Sequence, residues 1–148
     1  MTKDILLRIK GLQALIEDEK EQIEIITVGK YFLKNGKHYI KYSEVLEGFD
    51  GTIENLIKVD KSSVEVTKRG ITNVHMIFEE NKKNMTYYDT PFGNLLVGIS
   101  ATDIAVDERE EAIDIKVDYA LDVNYEHLAD CSIYMNIQSK DIKEAHLF

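Results

Sequence analysis

The sequence predicts an all-β protein of about eight to ten antiparallel strands, arranged as a sandwich or a barrel. Apolar and polar residues alternate with a period of two along most of the chain, which is typical of half-buried strands. Short polar or glycine-containing connections separate these runs, and no long amphipathic helix can be drawn between them. Regular short strands joined in this way favour an antiparallel sandwich or barrel.

The first half of the chain contains five strand-like runs. ILLRIKGL and EIITVGKYFL flank the acidic segment EDEKEQ, and Gly29 marks a position where a bulge or bend would fit. Asn35-Gly36 lies between YFLK and KHYIKY and predicts a type I′ hairpin, because both central positions of that turn need positive φ. The segment EGFDG precedes TIENLIKV and VEVTKR, which DKSS connects.

The second half continues the same pattern up to the last residues. NVHMIF and MTYYDT form a hairpin around EENKK, and Pro91-Phe92-Gly93 predicts a three-residue hairpin loop in which Gly93 takes positive φ. LLVGISATDIAV and IDIKVDYAL are separated by DEREEA, and CSIYMNIQ is the last strand. We assign residues 1–138 to the barrel and residues 139–148 to a tail that is either a short helix or disordered.

Composition limits the classes of function and the location of the protein. The 148 residues suit one domain with a sizeable core, and the net charge of −9 opposes non-specific binding to nucleic acid or to an anionic membrane. Cys131 is the single cysteine, so no intrachain disulfide is possible. The N-terminal MTKDILLRIKGLQ has no continuous apolar core of a signal peptide. We therefore expect a cytoplasmic protein with neither nucleic-acid nor membrane partners.

An ordered set of segments resembles the YwiB-like family of uncharacterised bacterial proteins. The segments are KHYIKYSE, TIENLIKV, VEVTKRG, VHMIFEE, YYDTPFGNL and IDIKVDYAL, and the resemblance covers residues 4–138. It implies a calycin-type, lipocalin-like β-barrel, and it implies no established activity. Lys68 stands where the family pattern resembles the arginine of Arg-x-Gly, and lysine cannot make the planar bidentate contacts of a guanidinium.

The interior of such a barrel either fills with side chains or holds one small ligand. Alternation places Val64, Val66 and Lys68 on one face, and a buried ammonium group needs an anion or water. We predict that Lys68 meets the acidic group of an amphipathic ligand, to which Tyr88, Tyr119 and Tyr42 offer hydroxyls. In the alternative interpretation, Lys68 reaches solvent and the tyrosines are core residues.

Catalytic and metal-binding patterns are weak. The H-x-x-D-C spacing of His127, Asp130 and Cys131 has zinc-ligand chemistry, but no second cluster completes four ligands. The acidic run at 107–111 lacks the glycine and alternation of a calcium loop. No nucleophile elbow and no phosphate-binding loop is present, so we predict no catalytic residues, no metal and no cofactor.

Three functions remain open from the sequence. The leading hypothesis is a non-enzymatic protein that binds a small, partly apolar ligand inside the barrel. The first alternative is a filled barrel that acts as a protein-interaction module. The second is an enzyme that uses polar residues at one barrel mouth. The sequence leaves the oligomeric state open.

Overall fold

Ten antiparallel strands form one sheet that curls into a nearly closed barrel. The computed structural model describes residues 1, 3–11, 24–45, 48, 50–71, 73–90 and 93–140. The strands are β1 (Asp4–Lys10), β2 (Glu24–Lys34), β3 (Lys37–Val45), β4 (Thr52–Val59), β5 (Ser63–Gly70), β6 (Val74–Glu79), β7 (Lys83–Thr90), β8 (Gly93–Glu108), β9 (Ala112–Val123) and β10 (Glu126–Ser139). The predicted all-β class and the single antiparallel barrel are confirmed.

The sheet order is β6-β5-β4-β3-β2-β1-β10-β9-β8-β7. It consists of two meanders, β1–β6 and β7–β10, which are joined where β1 pairs with β10. The barrel closes where the edge strands β6 and β7 meet. There the side-chain amide of Asn84 donates to the carbonyl oxygen of Ile77 at 3.2 Å, and an isolated bridge joins Glu80 to Ala101. Side-chain contacts and a short backbone contact, in which Asn81 N–H donates to the Ala101 carbonyl oxygen at 2.9 Å, therefore hold this seam together.

Two predicted turns have clear outcomes. Asn35 and Gly36 have φ of 53° and 76°, as the predicted type I′ hairpin requires. Gly93 has the predicted positive φ, at 125°, but its backbone pairs with Thr90. Residues 91–92 alone therefore connect the strands, one residue fewer than predicted, because glycine can keep a positive φ within the first pair of a ladder. Pro91 and Phe92 lie outside the described residues.

β2 and β3 pair only between Lys30 and Lys34 on β2 and Lys37 and Lys41 on β3. Within the described residues, the start of β2 pairs with β1 alone and the end of β3 pairs with β4 alone. The two strands therefore diverge and leave an opening between them, the β2–β3 cleft. Gly29 lies at the point of divergence, where a Cβ atom would approach the Lys41 carbonyl oxygen to 2.7 Å. The β1–β2 register runs through Gly29 without a shift, so the strand has no bulge at this predicted position.

The inward positions form one apolar core. The residues predicted to face inward on β5, β6, β9 and β10 are buried, and Phe78 packs edge-on against Tyr119 with ring centroids 5.0 Å apart. β10 runs to Ser139, and residues 141–148 of the predicted tail lie outside the described residues, as does the acidic segment EDEKEQ. Among the described residues, no helix has the length and apolar character needed to cross a membrane.

Candidate functional site

The sheet register brings three of the four predicted ligand residues together at one end of the barrel. Tyr42 on β3 faces Asn55 on β4, and Asn55 faces Lys68 on β5. All three are buried. Tyr88 approaches from β7, close enough to Glu44 for that carboxylate to influence its ionisation. The row thus forms because polar side chains occupy inward positions on three successive strands.

Lys68 is paired with a protein carboxylate. Its ammonium group donates to Glu44 Oε1 at 2.7 Å and to Asn55 Oδ1 at 2.8 Å. The Asn55 amide group also donates to Glu44 Oε1 at 2.8 Å, which closes a triangle of hydrogen bonds. The side chains of Lys68 and Glu44 are 4% and 15% exposed. Lys68 therefore already has an anionic partner, and neither a ligand anion nor solvent is needed to satisfy its charge.

The two tyrosines beside Glu44 both have raised pKa values. Burial raises the pKa of Tyr42 far above its usual range, and the Glu44 charge adds to that increase. The pKa of Tyr88 is raised by the same two causes in the same order. The Tyr42 hydroxyl is buried and has no hydrogen-bond partner within the described structure. An unpaired buried hydroxyl costs stability, so Tyr42 is the weak point of this cluster.

Tyr119 lies elsewhere in the core. Its ring packs on Phe78, and its hydroxyl interacts with the half-buried Cys131. Burial is the main cause that raises the pKa of Tyr119, and Cys131 adds to it. The structure therefore does not bring this predicted ligand residue into the Lys68 cluster.

The centre of the barrel is filled. A side chain that bordered a ligand-sized space would have surface accessible to water, yet many inward residues have no accessible surface. Residues with 0% exposure come from seven strands: Ile5, Leu7, Ile40, Ile57, Val59, Val64, Val66, Val97, Ile113, Val117, Ile133 and Ile137. These side chains pack as a protein core.

A second buried polar group closes the other end of the barrel. The Tyr31 hydroxyl oxygen lies 2.7 Å from His38 Nδ1, and His38 Nε2 lies 3.4 Å from Glu108 Oε1. Burial raises the pKa of Tyr31, and the Glu108 charge contributes. Because β3 and β8 lie on opposite walls, this series of side-chain contacts spans the mouth of the barrel. Both ring nitrogens of His38 therefore have a partner. Sequence reasoning missed it, since His38 stands in KHYIKY without any motif.

Lysines and aromatic rings share the outer face of β2, β3 and β4. Lys3 and Lys41 lie over the Phe32 ring at 5.7 and 5.6 Å from its centroid, and Lys58 lies over Tyr39 at 5.9 Å. The lysine–aromatic face comprises Lys3, Lys30, Phe32, Lys34, Lys37, Tyr39, Lys41 and Lys58. Phe32 pairs directly with Tyr39 across the strands.

The carboxylates that border this face have their own partners. Asp4 pairs with Lys30, which lowers the pKa of Asp4. Glu54 accepts hydrogen bonds from Ser43 and Thr52, at 2.7 and 3.0 Å. Glu65, opposite Lys58 in the register, lies 2.6 Å from His75. Ser43 and Thr52 are neutral, so Glu54 keeps its negative charge beside the face. Among the described residues, Lys34, Lys37, Lys41 and Lys58 nevertheless form no ion pair, and the lysines of the face outnumber its bordering carboxylates.

The β2–β3 cleft holds a cavity of about 520 Å³ at one edge of the lysine–aromatic face. Three lysines from different elements line it, namely Lys30, Lys41 and Lys140, together with Asp4 and Tyr42. A second cavity of about 350 Å³ lies against β1, β9 and β10. Its charged lining is balanced, with the cations Arg8, Lys10 and Lys116 and the carboxylates Glu24, Asp107 and Asp114.

The described residues contain no group of three or more histidine, cysteine or carboxylate side chains arranged to hold a metal ion. His127 lies 3.7 Å from Asp130 and 3.8 Å from Asp122, on an exposed strand end. In the H-x-x-D-C segment, His127 and Asp130 thus form a contact at the surface.

The fold and its packed core define a class: a small antiparallel β-barrel with an apolar interior and a cluster of buried polar side chains near each end. Residues 7–135 match the family model described as a domain of unknown function, DUF1934. The chain belongs to this family.

Two comparisons agree with the assignment. The chain is 30% identical over 126 residues to the uncharacterised β-barrel protein YwiB of Bacillus subtilis (strain 168), covering 82% of this chain and 87% of that protein. It is also similar to the crystal structure of the ywiB protein from Bacillus subtilis, with a TM-score of 0.75 and 27% identity over 93% of this chain and 92% of the other. The resemblance to the YwiB-like family is thereby confirmed.

Proposed function

We propose that this protein is an interaction module that binds an anionic partner on its outer wall, as the alternative of a filled barrel implies. The lysine–aromatic face carries the proposal, because it concentrates positive charge and exposed aromatic surface on an otherwise acidic protein. The packed interior and the Lys68–Glu44 pair support it, since both argue against a ligand in the barrel centre. The single cysteine fits the cytoplasmic location that we include in the proposal.

Binding of a fluorescein-labelled heparin oligosaccharide, measured by anisotropy at low salt, tests the proposal. The variant Lys41→Gln/Lys58→Gln should bind several-fold more weakly than the unmodified protein, because it removes two charges from the face. Lys10→Gln/Lys116→Gln is the matched control: it removes the same charge from the balanced region around the 350 Å³ cavity. Equal binding by both variants would contradict the proposal.

The β2–β3 cleft favours a second candidate function, the binding of a small, partly apolar ligand with an acidic group. Its volume suits such a ligand, and three lysines against the single carboxylate of Asp4 give its lining an excess of positive charge. Native mass spectrometry of the protein as purified from cells tests this candidate. A retained small molecule that disappears in Lys41→Gln would support it, and a bare protein mass would count against it.

A further inference from the structure

We propose that the anionic partner of the lysine–aromatic face is a single-stranded nucleic acid. This inference rests on the proposed function and narrows it to one chemical class. The net charge of −9 led us to predict no nucleic-acid partner, but that argument assumes evenly distributed charge. Over the residues that the structure describes, the charges are unevenly distributed.

Many of the carboxylates in the described residues lie on the far side of the barrel. In the order of the ten strands, β8 is five steps from β3 in either direction, so the two strands occupy opposite walls. The wall formed by β8 and β9 carries five of them: Asp103, Asp107, Asp114, Asp118 and Asp122. At physiological salt the screening length is about 8 Å, so an anion at the lysine–aromatic face mainly experiences the local lysines.

The aromatic pair distinguishes nucleic acid from an acidic polypeptide. Phe32 and Tyr39 face each other on adjacent antiparallel strands, with Cβ atoms about 5 Å apart for such a pair. Two outward rings on a sheet, framed by basic side chains, form a platform on which unpaired bases stack. Phe32 is 39% exposed, which leaves part of its ring for a base. The carboxylates of an acidic polypeptide would contact the lysines but would not stack on the rings.

The lysines are suited to the phosphates of the same strand. Residues on one face of a strand repeat about every 6.7 Å, so Lys34, Lys37, Lys41 and Lys58 surround the two rings at short intervals. Lysine acts on phosphate as a flexible point charge and reads no base edge. We therefore expect binding with little sequence preference. A duplex would hide its base faces from the rings, so a single strand is the better fit.

Anisotropy with a fluorescein-labelled oligothymidylate about twelve nucleotides long tests the inference, since site sizes of single-strand binders fall in this range. Phe32→Ala should weaken binding about fivefold or more, because each stacked base contributes at that level. Phe32→Leu, which keeps apolar bulk but removes the ring, should weaken it similarly and guards against misfolding. Tyr134→Ala is the matched control, since Tyr134 is 44% exposed and also lies under a lysine, Lys116.

Salt dependence provides a second readout. For a single strand the slope of log K against log salt is about −0.7 per neutralised phosphate, so Lys41→Gln/Lys58→Gln should make it shallower by about 1.4. Lys10→Gln/Lys116→Gln should leave the slope unchanged. If labelled polyglutamate binds as tightly and Phe32→Ala has no effect, the nucleic-acid inference is overturned while the proposed function stands. If no polyanion shows binding that depends on the face, both are overturned.

Discussion

Three polar residues decide the character of the cluster at the first end of the barrel: Glu44, Asn55 and Lys68. Each stands at an inward position of its strand, and the three side chains satisfy one another. Such a buried network stabilises only while it is complete, because removing one member leaves another charge or amide uncompensated. Its members are therefore better tested in pairs than singly.

We expect Lys68→Met to destabilise the protein by about 3–5 kcal/mol, since it leaves the Glu44 carboxylate in a largely buried site without its cation. The double variant Glu44→Leu/Lys68→Met should recover much of that loss, because it removes both charges. Urea unfolding of the two single variants and the double variant gives the coupling energy. Additive losses would show that the two side chains do not interact.

Two buried tyrosines with different hydrogen bonding form a second test at this scale. Tyr42→Phe should leave stability unchanged or raise it by about 1 kcal/mol, because it removes a buried hydroxyl that has no partner in the described structure. Tyr31→Phe should lower stability by about 1 kcal/mol, because it removes the contact to His38. Thermal melts of both variants at neutral pH measure the two changes in stability. A larger loss in Tyr42→Phe would mean that its hydroxyl has a partner.

Glycines at strand ends show how individual elements are terminated. Gly70 ends β5 with φ of 136°, and a Cβ there would lie 2.1 Å from the Thr52 carbonyl oxygen. Gly93 begins β8 with φ of 125°, but a Cβ there would meet no atom within 4 Å. An alanine at position 70 would therefore have both an unfavourable φ and a steric clash, whereas an alanine at position 93 would have only the unfavourable φ.

Gly93→Ala should therefore cost about 1 kcal/mol, the penalty for a non-glycine residue at positive φ. Gly70→Ala should cost clearly more, because β4 must move to accept the new methyl group. Chemical denaturation of the two variants under identical conditions gives the comparison. Equal losses would contradict the role that we assign to the Thr52 contact.

At the scale of the whole molecule, buried tyrosines distributed over the barrel link stability to alkaline pH. The pKa values of Tyr31, Tyr42, Tyr88 and Tyr119 are raised in the folded protein, mainly by burial. In the unfolded chain a tyrosine ionises near pH 10. Because the folded state keeps these protons longer, their contribution is complete below about pH 10 and is lost as the pH rises toward the folded values.

Stability should accordingly fall above about pH 10, by up to about 1.4 kcal/mol per pH unit for each tyrosine that stays neutral in the fold. Urea unfolding at a series of alkaline pH values measures this slope. Tyr42→Phe should have a shallower slope than the unmodified protein, since it has one such group fewer. An identical slope in both proteins would show that Tyr42 ionises normally.

Strand period and turn chemistry determined the local structure from the sequence alone. Alternation in IDIKVDYAL marks its inward side without knowledge of any neighbour, because a strand has only two faces. Asn35-Gly36 fixes its hairpin because few residues accept two successive positive φ angles. The family resemblance, the antiparallel class and the inward orientation of Lys68 followed from such local signals.

Only the tertiary structure decided which side chains contact Lys68 and which residues form the lysine–aromatic face. The partners Glu44 and Asn55 were visible as polar residues on apolar strand faces, but their contact depends on the register between strands. The segment 30–41 has four lysines and no carboxylate, yet Lys3 and Lys58 join them only when the sheet is formed. Periodicity describes one strand at a time, whereas partners and surfaces arise from strands distant in sequence, so the site depends on closure of the sheet.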